Sequence, residues 1–217
     1  MKGCELDMTN LGTGRNGTKK TFWDRTAGVY DGFMRGDRAV YAQMCAWMEP
    51  VVRHKQVLEL ATGTGMIARQ IVHAADHVEA TDASRDMIAQ ARRRAHSARL
   101  HFSVQDMFYL PYADASFDVI IVSNALHIVP EPEKALAQIR RVLKDDGVLI
   151  APTFTSADIG VRGRVKVFLM KLAGFPQHSK WTSESYLDFL REQGWTVRKS
   201  EVLQAGFPLT YAECVKG

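Results

Sequence analysis

Residues 57–65 read VLELATGTG, and the fold turns on them. Val57 to Leu60 form an apolar run interrupted only by Glu59, and the run ends in a turn of small residues that leads into Met66-Ile67-Ala68. An apolar strand, a glycine turn and a helix start, in that order, open a βαβ unit. Most such turns cradle phosphate on backbone N–H groups. A carboxylate in the strand that delivers the turn would repel a phosphate, so Glu59 calls for a different guest.

Working outward, strands and helices alternate. QVLEL is followed by a helix from Met66 to about Ala75, HVEATD by a helix from Ser84 to about His96, then come LHFSVQD, FDVIIVSN, a helix from Pro132 to about Leu143, and GVLIAPTFT. Helices of this length between strands predict parallel pairing and an α/β fold. Ser84 with Asp86 suits one helix start, Pro132 with Glu133 another, and Asp146-Gly147 is expected to stop the latter helix. Upstream, Val40, Met44, Trp47 and Met48 recur at helical spacing until Pro50. Downstream, residues 159–175 read as a basic amphipathic helix, SESYLDFLREQGW as a helix capped by Ser183, and WTVRKSEVLQ and PLTYAECVK as a closing antiparallel hairpin at the sheet edge.

With 217 residues, 46% of them apolar, the chain is sized for one domain with a real core. No stretch approaches the roughly 20 uncharged apolar residues of a membrane span, and the first residues lack the apolar centre of a signal peptide, so a cytoplasmic protein is expected. Cys4, Cys45 and Cys214 are scattered and odd in number, which fits neither a disulfide framework nor a zinc cluster. A formal charge of +4 is mild, Arg92 to Arg94 fit the wet face of a helix, and no nucleic-acid footprint is expected. GTGRNG, residues 12–17, has the letters of a dinucleotide turn but follows no strand, and reads as part of a flexible arm over residues 1–20. His73, His77, His96 and His101 lack metal-ligand spacing, and no metal is expected.

In an open α/β sheet, ligands bind at the carboxyl ends of the strands where the winding reverses. Those ends carry Glu59, Gly63, Thr64 and Gly65 from the first strand, Asp82 from the second, Asp106 from the third and Asn124 from the fourth. The glycines permit a tight turn and close approach to a nucleoside. Asp82 follows Gly65 by 17 positions, about the spacing at which a carboxylate accepts ribose hydroxyls. NAD and S-adenosylmethionine are equally served by these features, and Glu59 separates them: an acid beside the turn opposes a pyrophosphate and attracts a sulfonium. The plainer alternative is that Glu59 caps the next helix through its amides.

The segments VLELATGTGMIA, VEATDASRDMIAQARRRA and the run from Phe102 to Pro152 resemble the class I S-adenosylmethionine-dependent methyltransferases, in particular the small-molecule group that includes the ubiquinone/menaquinone and phosphatidylethanolamine methylating enzymes. The resemblance covers residues 22–155 and implies a Rossmann-like, seven-stranded, mostly parallel sheet with helices on both faces and a C-terminal antiparallel hairpin. It implies that Glu59, Ala61, Gly63, Thr64 and Gly65 form the methionine-side turn and that Asp82 is the ribose ligand. Ala83 and Met87 would line the adenine, Asp106 and Met107 would read its amine and ring face, and Asn124 would meet the methionyl ammonium. Tyr30 resembles a residue that closes over the cofactor, and His127 stands where a general base could sit. Met87 and Met107 are also what core filler looks like, because methionine adapts to gaps.

The expected organisation is a single domain over 21–217, with N-terminal helices over 21–53 and a lid-like insertion over 156–182 above a small-molecule or lipid-like acceptor. That insertion equally fits a peripheral membrane contact or a plain packed helix. Methyl transfer needs orientation more than a base, so the lack of a triad is no obstacle. Two rivals stand: a binding module that holds S-adenosylmethionine without transfer, and a nicotinamide-dependent oxidoreductase, which Glu59 opposes. An RNA methyltransferase would need an appended domain and a Pro-Pro-Tyr/Phe motif where this chain has SNALH.

Overall fold

The computed structural model describes residues 21–28, 32, 34–95, 97–155 and 178–217. Its centre is a sheet in which β1 (Gln56–Leu60), β2 (His77–Asp82), β3 (Leu100–Val104), β4 (Phe117–Val122) and β5 (Leu143–Ile150) run parallel, followed by β6 (Thr153–Phe154), β7 (Trp195–Gln204) and β8 (Pro208–Lys216). The order is β3-β2-β1-β4-β5-β8-β6, with β7 on the outer side of β8. Winding therefore reverses between β1 and β4, and the strand tips there open a crevice.

The apolar runs make these strands because both faces are covered. On one face Val57, Val78, Val119 and Ile121 pack with helix α2 (Arg38–Val52), α3 (Met66–Ile71) and α4 (Arg85–Arg94) through Met44, Met48, Ile67, Ile71 and Ile88. On the other, Leu58, Leu60, Ile120 and Val122 meet α5 (Pro132–Val142) and α6 (Ser183–Glu192) through Leu136, Ile139, Tyr186 and Leu190. A short helix α1 (Phe22–Thr26) precedes them, carries no buried residue, and is closed by a capping box between Thr21 and Asp24. The Tyr186 hydroxyl, fully buried, donates to the Ala151 carbonyl at 2.7 Å.

Several local expectations shift. Asp146-Gly147 does not stop a helix: α5 ends at Val142, and the pair lies inside β5, where the pairing with β4 jumps from Phe117–Leu143 to Val119–Val148. Pairing across the sheet outweighs the turn preference of Asp-Gly, which bulges out instead. Thr182, not Ser183, caps α6, its hydroxyl accepting the Ser185 amide. Helix α2 runs through Pro50 to Val52 and α3 stops at Ile71. The expected seventh-strand count becomes eight because GVLIAPTFT is cut at Pro152. Proline has no N–H to give, yet β5 and β6 keep one antiparallel register along β8, Ile150 facing Glu213 and Thr153 facing Thr210. The closing hairpin is formed as expected, with a bulge between Val197 and Lys199.

Among the described residues no helix is long and apolar enough to cross a membrane. The expected arm over residues 1–20 and residues 156–177 of the expected lid lie outside the described residues.

A Cβ added at Gly147 would meet Leu143 Cδ1 at 2.6 Å and the Asp118 carbonyl at 3.0 Å. Gly147→Ala is expected to destabilise the fold by about 1–3 kcal/mol; a urea midpoint equal to that of the parent would show that the β5 bulge absorbs a side chain freely.

Candidate functional site

The turn after β1 is built from unusual backbone. Ala61 has φ 51°, Gly63 57° and Gly65 75°, all left-handed. The Thr62 amide donates to the Thr81 carbonyl at 2.8 Å, and the Gly65 amide to the Thr62 carbonyl at 3.0 Å. Gly65 caps α3, and a Cβ there would stand 2.8 Å from the Phe102 ring, so only glycine lets the helix start this close to β3.

Asp82, at the tip of β2, joins this turn to the next. Its Oδ2 accepts the Gly63 amide and its Oδ1 accepts the Ser84 amide, each at 2.8 Å. Ser84 in turn caps α4 by accepting the Met87 amide at 3.2 Å, as its sequence position predicted. Burial pushes the Asp82 carboxyl up, the two amides pull it down, and Asp24 adds repulsion, with a net rise.

The structure brings Ala61, Gly63, Asp82, Ala83, Met87, Asp106, Met107 and Asn124 to the wall of one cleft. Asp106 closes an Asx turn by accepting the Phe108 amide at 3.0 Å. Asn124 has φ 53°, and its side chain is spent inside the protein: its amide nitrogen donates to Tyr41 Oη at 2.7 Å and its oxygen accepts the Phe154 amide at 3.0 Å. Its backbone carbonyl is thus the group left to meet a ligand.

Glu59, Thr64, Gly65 and His127 do not line the cleft. Glu59 is 2% exposed, and its Oε2 has no hydrogen-bond partner among the described residues. Burial, with Asp82 adding to it, pushes its carboxyl up to about 8 against the pull of the Thr62 hydroxyl, the Ala68 amide and Arg69. Helix α3, which begins just beyond the turn, has no side-chain hydrogen bond at its N-cap Gly65. His127 is 3% exposed, stands with Nδ1 2.9 Å from Thr153 Oγ1, and accepts the amides of His178 and Ser179 on its carbonyl. Burial lowers its imidazole to about 4. Tyr30 lies outside the described residues.

The cleft also contains residues that sequence reasoning did not single out: Trp23, Gln105, Phe108, Ser123, Ile128 and Val129 among them. Trp23 is brought there by α1, whose Asp24 Oδ1 accepts the Ser84 hydroxyl at 2.5 Å. Burial raises the Asp24 carboxyl, but the Ser84 and Thr21 hydrogen bonds outweigh it and leave it lowered. The TFWD capping pattern at 21–24 signals a helix start; nothing in the spacing reveals the contact with Ser84. Ser123 Oγ, buried in the cleft wall, has no partner among the described residues. Among the described residues no group of three or more His, Cys, Asp or Glu side chains could hold a metal ion.

The mostly parallel sheet with its reversed C-terminal hairpin is a Rossmann-like fold, and solved methyltransferase structures share it. Residues 58–151 match the methyltransferase domain family. The chain is similar to a demethylmenaquinone methyltransferase of Clavibacter sepedonicus, 34% identical over 149 residues that cover 66% of this chain and 60% of that protein. It is also similar to the ubiquinone/menaquinone biosynthesis C-methyltransferase UbiE of Brucella anthropi, 35% identical over 56% of this chain and 49% of that one. The chain spans about half the length of the curated relatives it matches. Of solved structures, the DhpI-SAH complex shares the fold with a TM-score of 0.71 at 22% identity, covering 90% of this chain and 94% of that one.

Two outcomes test this account of the site. Ala61→Gly relieves a left-handed alanine and is expected to raise stability by up to about 1 kcal/mol, read as a higher urea midpoint; a lower midpoint would show that the methyl is needed for packing. His127 is held neutral when folded but titrates normally when unfolded, so its contribution is present above pH 6.5 and lost as pH falls towards about 4. The difference in Tm between the parent and His127→Gln should therefore shrink as the pH is lowered through that window, and a pH-independent difference would contradict the buried neutral ring.

Proposed function

We propose that this chain binds S-adenosylmethionine at the tips of β1 to β4 and catalyses methyl transfer to a small-molecule or lipid-like acceptor. The observation that carries the reading is the pairing of a left-handed glycine turn with two acids, Asp82 bridging it from the cleft side and Glu59 buried beneath it. A diphosphate over that turn gains nothing from Glu59 and is repelled by it once ionised, whereas a cationic sulfonium gains from that ionisation.

The residues fit the nucleoside in detail. Asp82 retains lone pairs beyond the two amides it accepts, and these suit the ribose hydroxyls. Ala83, Met87 and Met107 form the slot for adenine, with Asp106 at its amine edge. Gly63 and the Asn124 carbonyl would serve the methionine end, and Trp23 lines the same cleft. When bound, S-adenosylmethionine supplies an electrophilic methyl on a good leaving group. The protein orients the reactants and excludes water, a contribution on the order of 7–11 kcal/mol for well-held pairs.

On the acceptor side the cleft offers Ala125, Ile128, Val129 and Phe108, an apolar lining. The names of the two relatives speak of quinone precursors, and an apolar ring of that kind is the acceptor we favour here. Residues 21–217 act as one domain in this reading, and nucleic acid is not a partner.

Calorimetric titration with S-adenosylhomocysteine, run beside NAD, tests the proposal. The thioether nucleoside is expected to bind and NAD not to. Asp82→Ala should weaken binding by about 1–3 kcal/mol through lost ribose hydrogen bonds, with Asp82→Asn, which keeps one acceptor for the turn, intermediate. Binding of NAD in preference, or equal affinities of parent and Asp82→Ala, would sink it. A metabolite extract treated with labelled methyl donor then finds the acceptor by the label it takes up.

A further inference from the structure

Glu59 is placed oddly for a simple ligand. Its side chain is 2% exposed and stands behind the glycine turn, not on the cleft wall, and its Oε2 is buried without a partner among the described residues. A permanently ionised carboxylate with an unsatisfied oxygen in the core is costly, and a neutral one is far less so. The charged and titratable groups that bear on it are Asp82 from β2, Arg69 from α3 and Cys45 from α2, whose thiol burial and Glu59 together push up to about 12. Arg69 does not turn to it as an ion pair: its Nε donates to the Gly65 carbonyl at 3.0 Å. Among the described residues no cation forms an ion pair with Glu59.

The missing positive charge can come from the guest. Resting on the proposed nucleoside reading, the two forms of the cofactor differ by one charge: the methionine sulfonium carries a net positive charge, and the thioether product is neutral overall. We propose that Glu59 is a proton-linked selector between these two forms, protonated while the cleft is empty or holds the thioether, and ionised when the sulfonium occupies the far side of the turn. The proton leaves the Glu59 carboxyl for solvent as the cation enters, and returns from solvent once the methyl group has gone and the sulfur is neutral. Binding and proton release are then two sides of one coupling, so the sulfonium binds more tightly as the pH rises and the thioether does not. Product release is favoured for the same reason, because reprotonated Glu59 no longer attracts what occupies the cleft. The neutral state of Glu59 in the empty protein, set by burial, is what makes the proton available.

The experiment is calorimetry of S-adenosylmethionine and of S-adenosylhomocysteine binding to the full chain, at pH 6 to 7, in buffers of different ionisation enthalpy. This range lies below that of an α-amino group, so the ligand's own amine stays charged. For the parent protein, up to about one proton should be released per sulfonium bound, affinity should rise by up to about tenfold per pH unit, and the thioether should release none. Glu59→Gln keeps the shape and an acceptor for the Ala68 amide but carries no titrating proton. In that variant, release on sulfonium binding should vanish and the preference for sulfonium over thioether should become independent of pH. Equal proton release by parent and Glu59→Gln, or equal release with both ligands in the parent, overturns the proposal while leaving the nucleoside site intact. Failure of both ligands to bind the parent overturns the nucleoside reading itself. Should Glu59→Gln not fold, the comparison of the two ligands on the parent protein decides alone.

Discussion

The site depends on one carboxylate. Asp82 accepts an amide from the turn after β1 on one oxygen and an amide from the turn after β2 on the other. Two loops that strand pairing brings side by side but does not fix are thereby held at a set spacing. The arrangement is economical, because the same side chain that positions both turns faces the cleft and offers its remaining lone pairs there. Around it the backbone is strained in a consistent place: Ala61 and Asn124, both left-handed without being glycine, end the adjacent strands β1 and β4 where the winding reverses. Strain of this kind persists only where the surroundings over-determine it, and here the sheet on either side and the Asn124 hydrogen bonds to Tyr41 and Phe154 supply that determination.

Much of this was legible in the sequence, for a physical reason. Strands covered on both faces must be apolar throughout, so β1 and β4 announce themselves, and the short polar caps of α4 and α5 stand out against them. The cleft positions Gly63, Asp82, Asp106 and Asn124 were found because strand tips can be located once the strands are. Other features resisted because they rest on contacts between distant parts of the chain. Asp146-Gly147 is a strong local turn signal that pairing with β4 overrides. Trp23 reaches the cleft as α1 packs on α4, with a hydrogen bond between Asp24 and Ser84, residues that no periodicity connects. Spacing placed Glu59 and His127 beside the cleft but could not say that both are sealed behind its wall.

Burial raises the acids on both sides of the β1 turn. Beneath it, burial favours a neutral Glu59; on the cleft side, amides partly offset the same effect at Asp82. A site so arranged carries little fixed negative charge in its core and keeps Asp82 where two amides satisfy it. It thereby avoids the desolvation cost that a set of ionised carboxylates would bring to an empty pocket.

The bond between Asp24 and Ser84 has a further bearing on the cleft. Helix α1 has no buried residue of its own, and a five-residue helix does not persist unaided. Its anchor, Ser84, is at the same time the residue that terminates α4, the helix whose first turn carries Met87 into the cleft. The Ser84 hydroxyl donates to Asp24 of α1 while it accepts the Met87 amide of α4. One hydroxyl thus ties the N-terminal helix and the cleft wall that carries Met87 to the same helix end.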